Sequence, residues 1–478
     1  MDKNRRGVII ESGAQDWQIF QQDKNGVATI SLAGRWLIEE KLKKTPKVLV
    51  RVVQEDCYET VTQPLDWQAA TTRKNATWSI DLKNVPCGGL YRIETVLQFD
   101  VEPPEWSCRG DIVHHVGVGD IWVITGQSNA AGYGRSPITD GPEMGVHMFH
   151  ARGEWKLAAH PLGDSTESLY TPNREGTNAS QSPWLAFARK LKAALGYPIG
   201  LIPASLGGSA MWMWHRAKGN IGEWKRGFLF DNMLRYIDDA GGKVRGAVWY
   251  QGESDADPDQ CKLYAKRFTA FVKDLRKCVK NPKLPVLTVQ LNRCAVMGML
   301  DATHDPASPW SDMREIQRKL AHTIPGVTVT SMIGTNLADA VHNLSPGNVI
   351  LGERMAACAL GSVHGRDVKY LCPDIRTAKQ LAKARIELVF DNVDGALQLG
   401  DLEVARFPIA VSDKDGVVPV KAWTIKQPNR ILINLARPLN GPATATGAPG
   451  LLPDEMPIVD VAGYRPMLAF KVKVTPKA

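Results

Sequence analysis

Long apolar runs are missing from this 478-residue chain. None reaches the about 18 residues that a bilayer-spanning helix requires, so no membrane partner is expected and the chain reads as a soluble protein. The start, Met1-Asp2-Lys3-Asn4-Arg5-Arg6-Gly7-Val8-Ile9-Ile10-Glu11-Ser12, is basic but has only a short apolar run, too brief for the core of a signal peptide. Paired cysteine motifs are missing as well. The eight cysteines stand far apart, at 57, 87, 108, 261, 278, 294, 358 and 372; without a C-x-x-C pair they suggest neither zinc nor redox chemistry, and reduced thiols are expected. These features point to a cytoplasmic location, with the periplasm or secretion open if a leader has been trimmed. The formal charge of +8 is spread along the chain without a Lys/Arg cluster or an aromatic-basic repeat, so no nucleic-acid partner is expected. No internal repeat marks a solenoid or propeller.

What is present exceeds one domain in length. From Gly26 to Phe99 the pattern is that of strands, at 27–32, 48–53, 78–82 and 90–99, broken by Gly, Pro, Asn and Lys; Tyr91, Ile93, Leu97 and Phe99 alternate with polar residues as in a half-buried strand. This predicts an N-terminal β-sandwich over residues 1–110. By Asp120 short apolar strands begin to alternate with amphipathic helices. Strands at 121–125, 199–203, 244–250, 286–290 and 327–332 predict a five-stranded parallel sheet in an α/β domain spanning 111–365. One helix should open at Ser182-Pro183 and stop near Gly196. Another should run from Pro258 to about Val279, with Leu263, Phe268, Phe271, Val272 and Leu275 as its apolar stripe. The segment 134–181 is too long for a simple connection, with a possible hairpin around residues 151–154, and is expected to shape the rim of a site. Beyond it, alternation at Ile386, Leu388 and Phe390 and at Ile431, Ile433 and Leu435 predicts a C-terminal β-rich module over 366–478, with a Pro/Gly/Ala loop at 440–453.

Ser128, in Gly126-Gln127-Ser128-Asn129, directly follows the first of these strands, which puts it at the carboxyl edge where open α/β sheets bind ligands. Taken alone it fits a helix N-cap equally well. Asp339 and His342 follow the fifth strand at the same edge. A serine hydroxyl needs a base within reach and a carboxylate to fix that base's tautomer, and these two residues supply both. Two more segments converge there: Leu206-Gly207-Gly208-Ser209, and Trp249-Tyr250-Gln251-Gly252-Glu253-Ser254. Gly208, through its backbone N–H, and Gln251, through its amide, are candidate oxyanion donors. Trp212 and Trp214, in Met211-Trp212-Met213-Trp214-His215, are candidate sugar platforms, although such spacing also suits core packing. His114 and His115 read as structural, since no acidic or thiol ligand accompanies them at metal spacing, and no metal is expected.

The Gly-Gln-Ser-Asn, Gly-Gly-Ser, Trp-Tyr-Gln-Gly-Glu-Ser and Asp-x-x-His blocks, in this order, resemble the sialate O-acetylesterase group of SGNH hydrolases. The resemblance covers roughly residues 120–362 and implies a flavodoxin-like three-layer domain flanked by all-β modules. It implies Ser128 as nucleophile, His342 as base and Asp339 as its orienter. The Ser128 and Gly208 amides and Gln251 would be oxyanion donors, with Gln127, Asn129 and Glu253 in support. Two departures bear on the sugar: Ala130-Ala131-Gly132 follows the serine block where the group commonly has methionine, and His342 is followed by Asn343-Leu344-Ser345-Pro346. The implied activity is carbohydrate O-deacetylation, with sialate first and an acetyl-xylan-type polysaccharide as the alternative, and neither metal nor organic cofactor is implied. A catalytically inactive carbohydrate-binding protein is the reading from a different class. The α/β-hydrolase fold is disfavoured, because Ala130 stands where the second glycine of Gly-x-Ser-x-Gly would fall and Asp339 and His342 share one loop.

Overall fold

In the computed structural model, which describes residues 7–38, 44–55, 64–99, 103–175, 179–295, 304–400, 407–452 and 458–477, one strand joins two parts of the molecule. Cys108–Gly126 (β1, 19 residues) pairs antiparallel with Gly88–Gln98 through its first half and parallel with central-sheet strands through its second. The boundary expected between residues 110 and 111 therefore falls inside a continuous strand, because the pairing partner changes along it while the backbone stays extended.

The remaining strands of the central sheet are Val146–His150 (β2), Glu154–Leu157 (β3), Ile199–Pro203 (β4), Gly246–Tyr250 (β5), Val286–Gln290 (β6) and Val327–Ser331 (β7), in the spatial order β3-β2-β4-β1-β5-β6-β7. All neighbours pair parallel except β2 and β3, which form a hairpin with His150 opposite Glu154. Six parallel strands thus replace the five expected. The extra one, β2, has the sequence Val-His-Met-Phe-His and every residue buried. Its histidines disguise an interior strand, since His147 satisfies its ring Nδ1 on the Trp17 carbonyl at 2.6 Å. Leaving out β2 and β3, the order is that of a flavodoxin-like doubly wound sheet, with the first strand central and the chain reversing beside it.

Among the described residues, seven α-helices connect and cover these strands: Ser128–Ala131 (α1), Trp184–Leu195 (α2), Met211–Trp214 (α3), Phe228–Asp239 (α4), Pro258–Cys278 (α5), Pro309–Thr323 (α6) and Ser345–Ser362 (α7). Helix α2 packs on α7, while α3, α4, α5 and α6 form a second group. Local signals set their ends: Asp257 caps α5 by accepting from the Asp259 and Gln260 N–H groups, and Gly196 ends α2 in the left-handed region at φ 77°. Of the predicted α5 stripe, Phe268, Phe271, Val272 and Leu275 are buried, whereas Leu263 is exposed; it stands five residues before Phe268, off the 3–4 spacing that keeps side chains on one face. No helix among the described residues is long and apolar enough to cross a membrane.

The N-terminal region packs a sheet of Gly7–Ser12, Val27–Leu37, Thr77–Pro86 and Thr71–Thr72 against the sheet that β1 shares with Lys47–Gln54 and Gly88–Gln98, around Ile30, Val50, Trp78, Ile93 and Val116. At the other end, two four-stranded antiparallel sheets enclose Leu388, Val411, Ile433, Ala445 and Phe470. The loop expected at 440–453 contains a strand, Ala443–Gly447, sandwiched between Ile409–Asp413 and Phe470–Val474. Its Ala-Thr-Ala-Thr-Gly sequence has the small side chains a crowded central strand admits, and such residues carry little strand signal in a local pattern. Cys57, in the cysteine reading, lies outside the described residues; the remaining seven are free thiols.

Candidate active site

Strand β1 ends at Gly126, whose φ of 127° turns the chain toward α1. A Cβ there would overlap the Tyr250 carbonyl oxygen, so the turn requires glycine. The next amide, Gln127 N–H, donates to that same oxygen at 3.0 Å, and Ser128 becomes the first residue of α1. Its hydroxyl lies 2.8 Å from His342 Nε2, and His342 Nδ1 lies 2.7 Å from Asp339 Oδ2. The sequence order Ser, Asp, His thus becomes a spatial line Ser128–His342–Asp339. With Nδ1–H donated to the carboxylate, Nε2 is the free base facing the serine.

The loop carrying the pair is tied down from several sides. Asp339 Oδ1 accepts from the Val341 and His342 N–H groups at 3.0 and 2.9 Å. Burial works to raise the Asp339 carboxyl, but these bonds and the His342 ring hold it below its usual pKa. Asn129 connects this loop to the third strand end: its Nδ2 donates to Glu253 Oε1 at 2.8 Å and to the Val341 carbonyl at 3.2 Å, and its Oδ1 accepts from Asn343 N–H at 3.1 Å. Burial raises the Glu253 carboxyl despite the bond from Asn129. Gln127 ties the same strand end through Oε1, which accepts from the Ser254 and Gly252 N–H groups at 3.2 and 3.4 Å. Gln127, Asn129 and Glu253 therefore stand together around the serine.

The candidate oxyanion donors divide. Gly208 lines the cavity in front of Ser128, at φ 64°, and neither its N–H nor that of Ser128 has a protein acceptor among the described residues. Gln251 is different. It is fully buried, its Nε2 donates to Asp255 Oδ2 at 2.6 Å and to the Ser209 carbonyl at 3.2 Å, and it is absent from the cavity lining. Its amide is consumed inside the protein, where it braces the Ser209 turn, and it offers nothing to a developing oxyanion.

The aromatic candidates fail in a similar way. Trp214 is fully buried, donates its indole N–H to Ser209 Oγ at 3.0 Å and packs edge-on against Trp249 and Phe271. Trp212 is half-buried against Phe228 and lies outside the cavity lining. The turn of α3 that follows Gly208 is pinned by Asp255, which accepts from Met211 N–H at 2.7 Å, and Met211 and Trp214 are buried in the core. The apolar wall comes instead from Trp310, Val341, Cys294 and Leu451 around a cavity of about 750 Å³. Sequence reading also missed Tyr133, whose ring stacks on His342 at 4.8 Å, and Glu175, which accepts from Gly207 N–H at 2.8 Å. Neither belongs to a motif: Tyr133 follows the serine block directly, and Glu175 reaches the site only through the tertiary path of the 134–181 segment.

Comparison with known proteins bears on this arrangement. The family model described as carbohydrate esterase, sialic acid-specific acetylesterase, matches residues 118–361. A probable carbohydrate esterase of Arabidopsis thaliana is 28% identical over 194 residues, which are 36% of this chain and 68% of that protein. The Homo sapiens sialate O-acetylesterase is 27% identical over 263 residues, 49% of this chain and 48% of that protein, so the chain spans about half the length of this relative. A carbohydrate acetylesterase from Xanthomonas citri, solved by crystallography, has the same fold over 97% of this chain and 99% of that one, at a TM-score of 0.67 and 20% identity. The flanking β modules are thus part of a shared architecture, and the chain belongs to the family of carbohydrate esterases described as sialic acid-specific acetylesterases.

Proposed function

We propose that the protein removes O-acetyl groups from carbohydrates through an acetyl-serine intermediate. The observation that carries this is the unbroken line from Ser128 Oγ through His342 to Asp339 at the mouth of the cavity. Ser128 Oγ attacks the acetyl carbonyl carbon as His342 Nε2 takes its proton, and the Ser128 and Gly208 N–H groups receive the charge on the carbonyl oxygen. Collapse breaks the bond to the sugar oxygen, which leaves with the proton from His342. Water then gives a proton to the same nitrogen and attacks the acetyl-serine, and His342 passes that proton to Ser128 Oγ as the acyl bond breaks and acetate leaves. Asp339 holds the imidazole in the tautomer that both halves require.

Sialate is the sugar named in the family description. The cavity favours the other expectation, an uncharged sugar in an acetyl-xylan-type polysaccharide. Its lining holds Glu175, Glu253 and Asp257 and, among the described residues, no lysine or arginine, whereas a sugar acid brings a carboxylate that is best met by a cation. Acetate release from acetyl-xylan and from O-acetylated sialic acid, measured side by side, tests this choice. An at least tenfold higher kcat/KM on the neutral substrate is expected; the reverse preference overturns the choice of sugar and leaves the chemistry intact. Chromogenic acetyl, butyryl and octanoyl esters test the acyl group, and the acetyl ester should be turned over fastest.

A further inference from the structure

Glu175 sits in the long segment between α1 and α2, far from every motif, yet it touches two parts of the proposed machinery. One carboxylate oxygen accepts from Gly207 N–H at 2.8 Å, and the other accepts from the Tyr133 hydroxyl. Tyr133 lies flat on the His342 ring, with centroids 4.8 Å apart and planes at 25°. We propose that Glu175 is a positioning residue for the deacetylation reaction, setting the oxyanion loop through Gly207 and the imidazole through Tyr133. The proposal rests on the acetyl-serine reading above.

The geometry explains why a carboxylate is suited to this place. Two N–H or O–H donors converge on it, and a carboxylate accepts at both oxygens without offering a competing donor. The carboxylate occupies the Gly207 N–H at the cavity wall, while the next N–H, that of Gly208, has no protein acceptor among the described residues. Gly207 also has no room for a side chain, since a Cβ would collide with Glu175 Oε1. The Tyr133 phenol is raised by burial and by its bond to Glu175, so it stays a proton donor throughout the working pH range.

The carboxylate is itself held. Glu175 N–H donates to Ser165 Oγ at 3.1 Å, and two residues earlier the buried Asn173 donates to the Ala204 carbonyl and accepts from Asn232 on α4. Ser168, also buried, bonds the Tyr236 hydroxyl at 2.5 Å. The segment is therefore bolted to the end of β4 and to α4, the frame that also carries the Gly207–Gly208 turn.

The test is steady-state kinetics of the full chain on a chromogenic acetyl ester for wild type, Glu175→Ala, Glu175→Gln, Tyr133→Phe, the double variant Glu175→Ala/Tyr133→Phe, Gly207→Ala and Ser128→Ala, each with its melting temperature. Glu175→Ala is expected to lower kcat about 30- to 100-fold, as displacements of about 1 Å do, with KM moving by less than about threefold. Glu175→Gln should recover most of that loss, because its carbonyl oxygen still accepts from Gly207 N–H and its amide can donate to the Tyr133 oxygen. Gly207→Ala should reproduce the Glu175→Ala defect, and the double variant should be no slower than Glu175→Ala alone, since both act through one contact. A wild-type kcat in Glu175→Ala overturns the proposal, as does a loss confined to KM or one that Glu175→Gln shares in full while tracking melting temperature. Activity surviving in Ser128→Ala overturns the underlying reading instead, so the two failures are distinct.

Discussion

A hydroxyl, an imidazole and a carboxylate do chemistry only in register, and their separate removal should reveal their rank. His342→Ala is expected to lower kcat on an acetyl ester by about 10⁶-fold, and Asp339→Asn by less, about 10⁴-fold, because an orienting carboxylate contributes less than the base it orients. Gln251→Ala separates bracing from catalysis. Its amide joins Asp255 to the Ser209 carbonyl in the interior, so its loss should cost about 1–3 kcal/mol in a urea melt, with kcat falling much less than the about 100-fold that follows loss of an oxyanion donor. A drop of that size in a fully folded Gln251→Ala would restore it to the oxyanion site. Residue types at the sheet edge were legible in the sequence, since Ser128, Asp339, His342, Gly208, Asn129 and Glu253 all meet there. Side-chain direction was not. Gln251 and Trp214 follow the expected strands but turn inward, because Asp255 and Ser209 offer buried partners that no local pattern announces.

The turn between β1 and α1 is the element on which the site depends. Gly126→Ala puts a methyl group against the Tyr250 carbonyl at a φ that L-residues rarely adopt, so the chain must shift just before Ser128. An about 100-fold fall in kcat is expected with KM little changed, measurable beside the variant's melting curve; wild-type kcat in this variant would mean that the turn tolerates displacement. Elements whose periodicity agrees with their surroundings were readable: the five expected strands, the spans of α2 and α5, the Gly196 stop of α2, and the hairpin near 151–154. Those whose composition runs against habit were not. Strand β2 hides behind two histidines, and Ala443–Gly447 behind residues too small to look like a strand. In both cases burial by neighbours far away in sequence decides the conformation, which the handful of local residues cannot convey.

At the scale of the molecule, the C-terminal module helps build the cavity. Arg314, fully buried on α6, donates to the carbonyls of Leu291 and Asn292 and across to those of Ala448 and Gly450, while Cys294 N–H donates to the Leu451 carbonyl at 2.7 Å. This clamp delivers Leu451 to the cavity wall. Arg314→Met should therefore destabilise the protein by about 3 kcal/mol or more, since several charge-assisted bonds are lost and their carbonyls stranded; a urea midpoint equal to wild type would contradict the clamp. Buried His147, beside Trp17 of the N-terminal region, gives the whole fold a pH dependence. Burial depresses its pKa to about 4, so the unfolded chain, titrating near 6.5, binds the extra proton first. Stability from this group is full above about pH 6.5 and is lost as pH falls toward about 4, by an amount on the order of 3 kcal/mol. Urea midpoints across that range should fall in wild type and fall less in His147→Gln. The central claim, however, is a covalent one. Rapid acid quenching of the protein during turnover of a chromogenic acetyl ester, followed by peptide mass spectrometry, should find one acetyl group on Ser128, absent from Ser128→Ala and from unreacted protein; acetate released at the wild-type rate by Ser128→Ala, or an acetyl group carried on another residue, would contradict it.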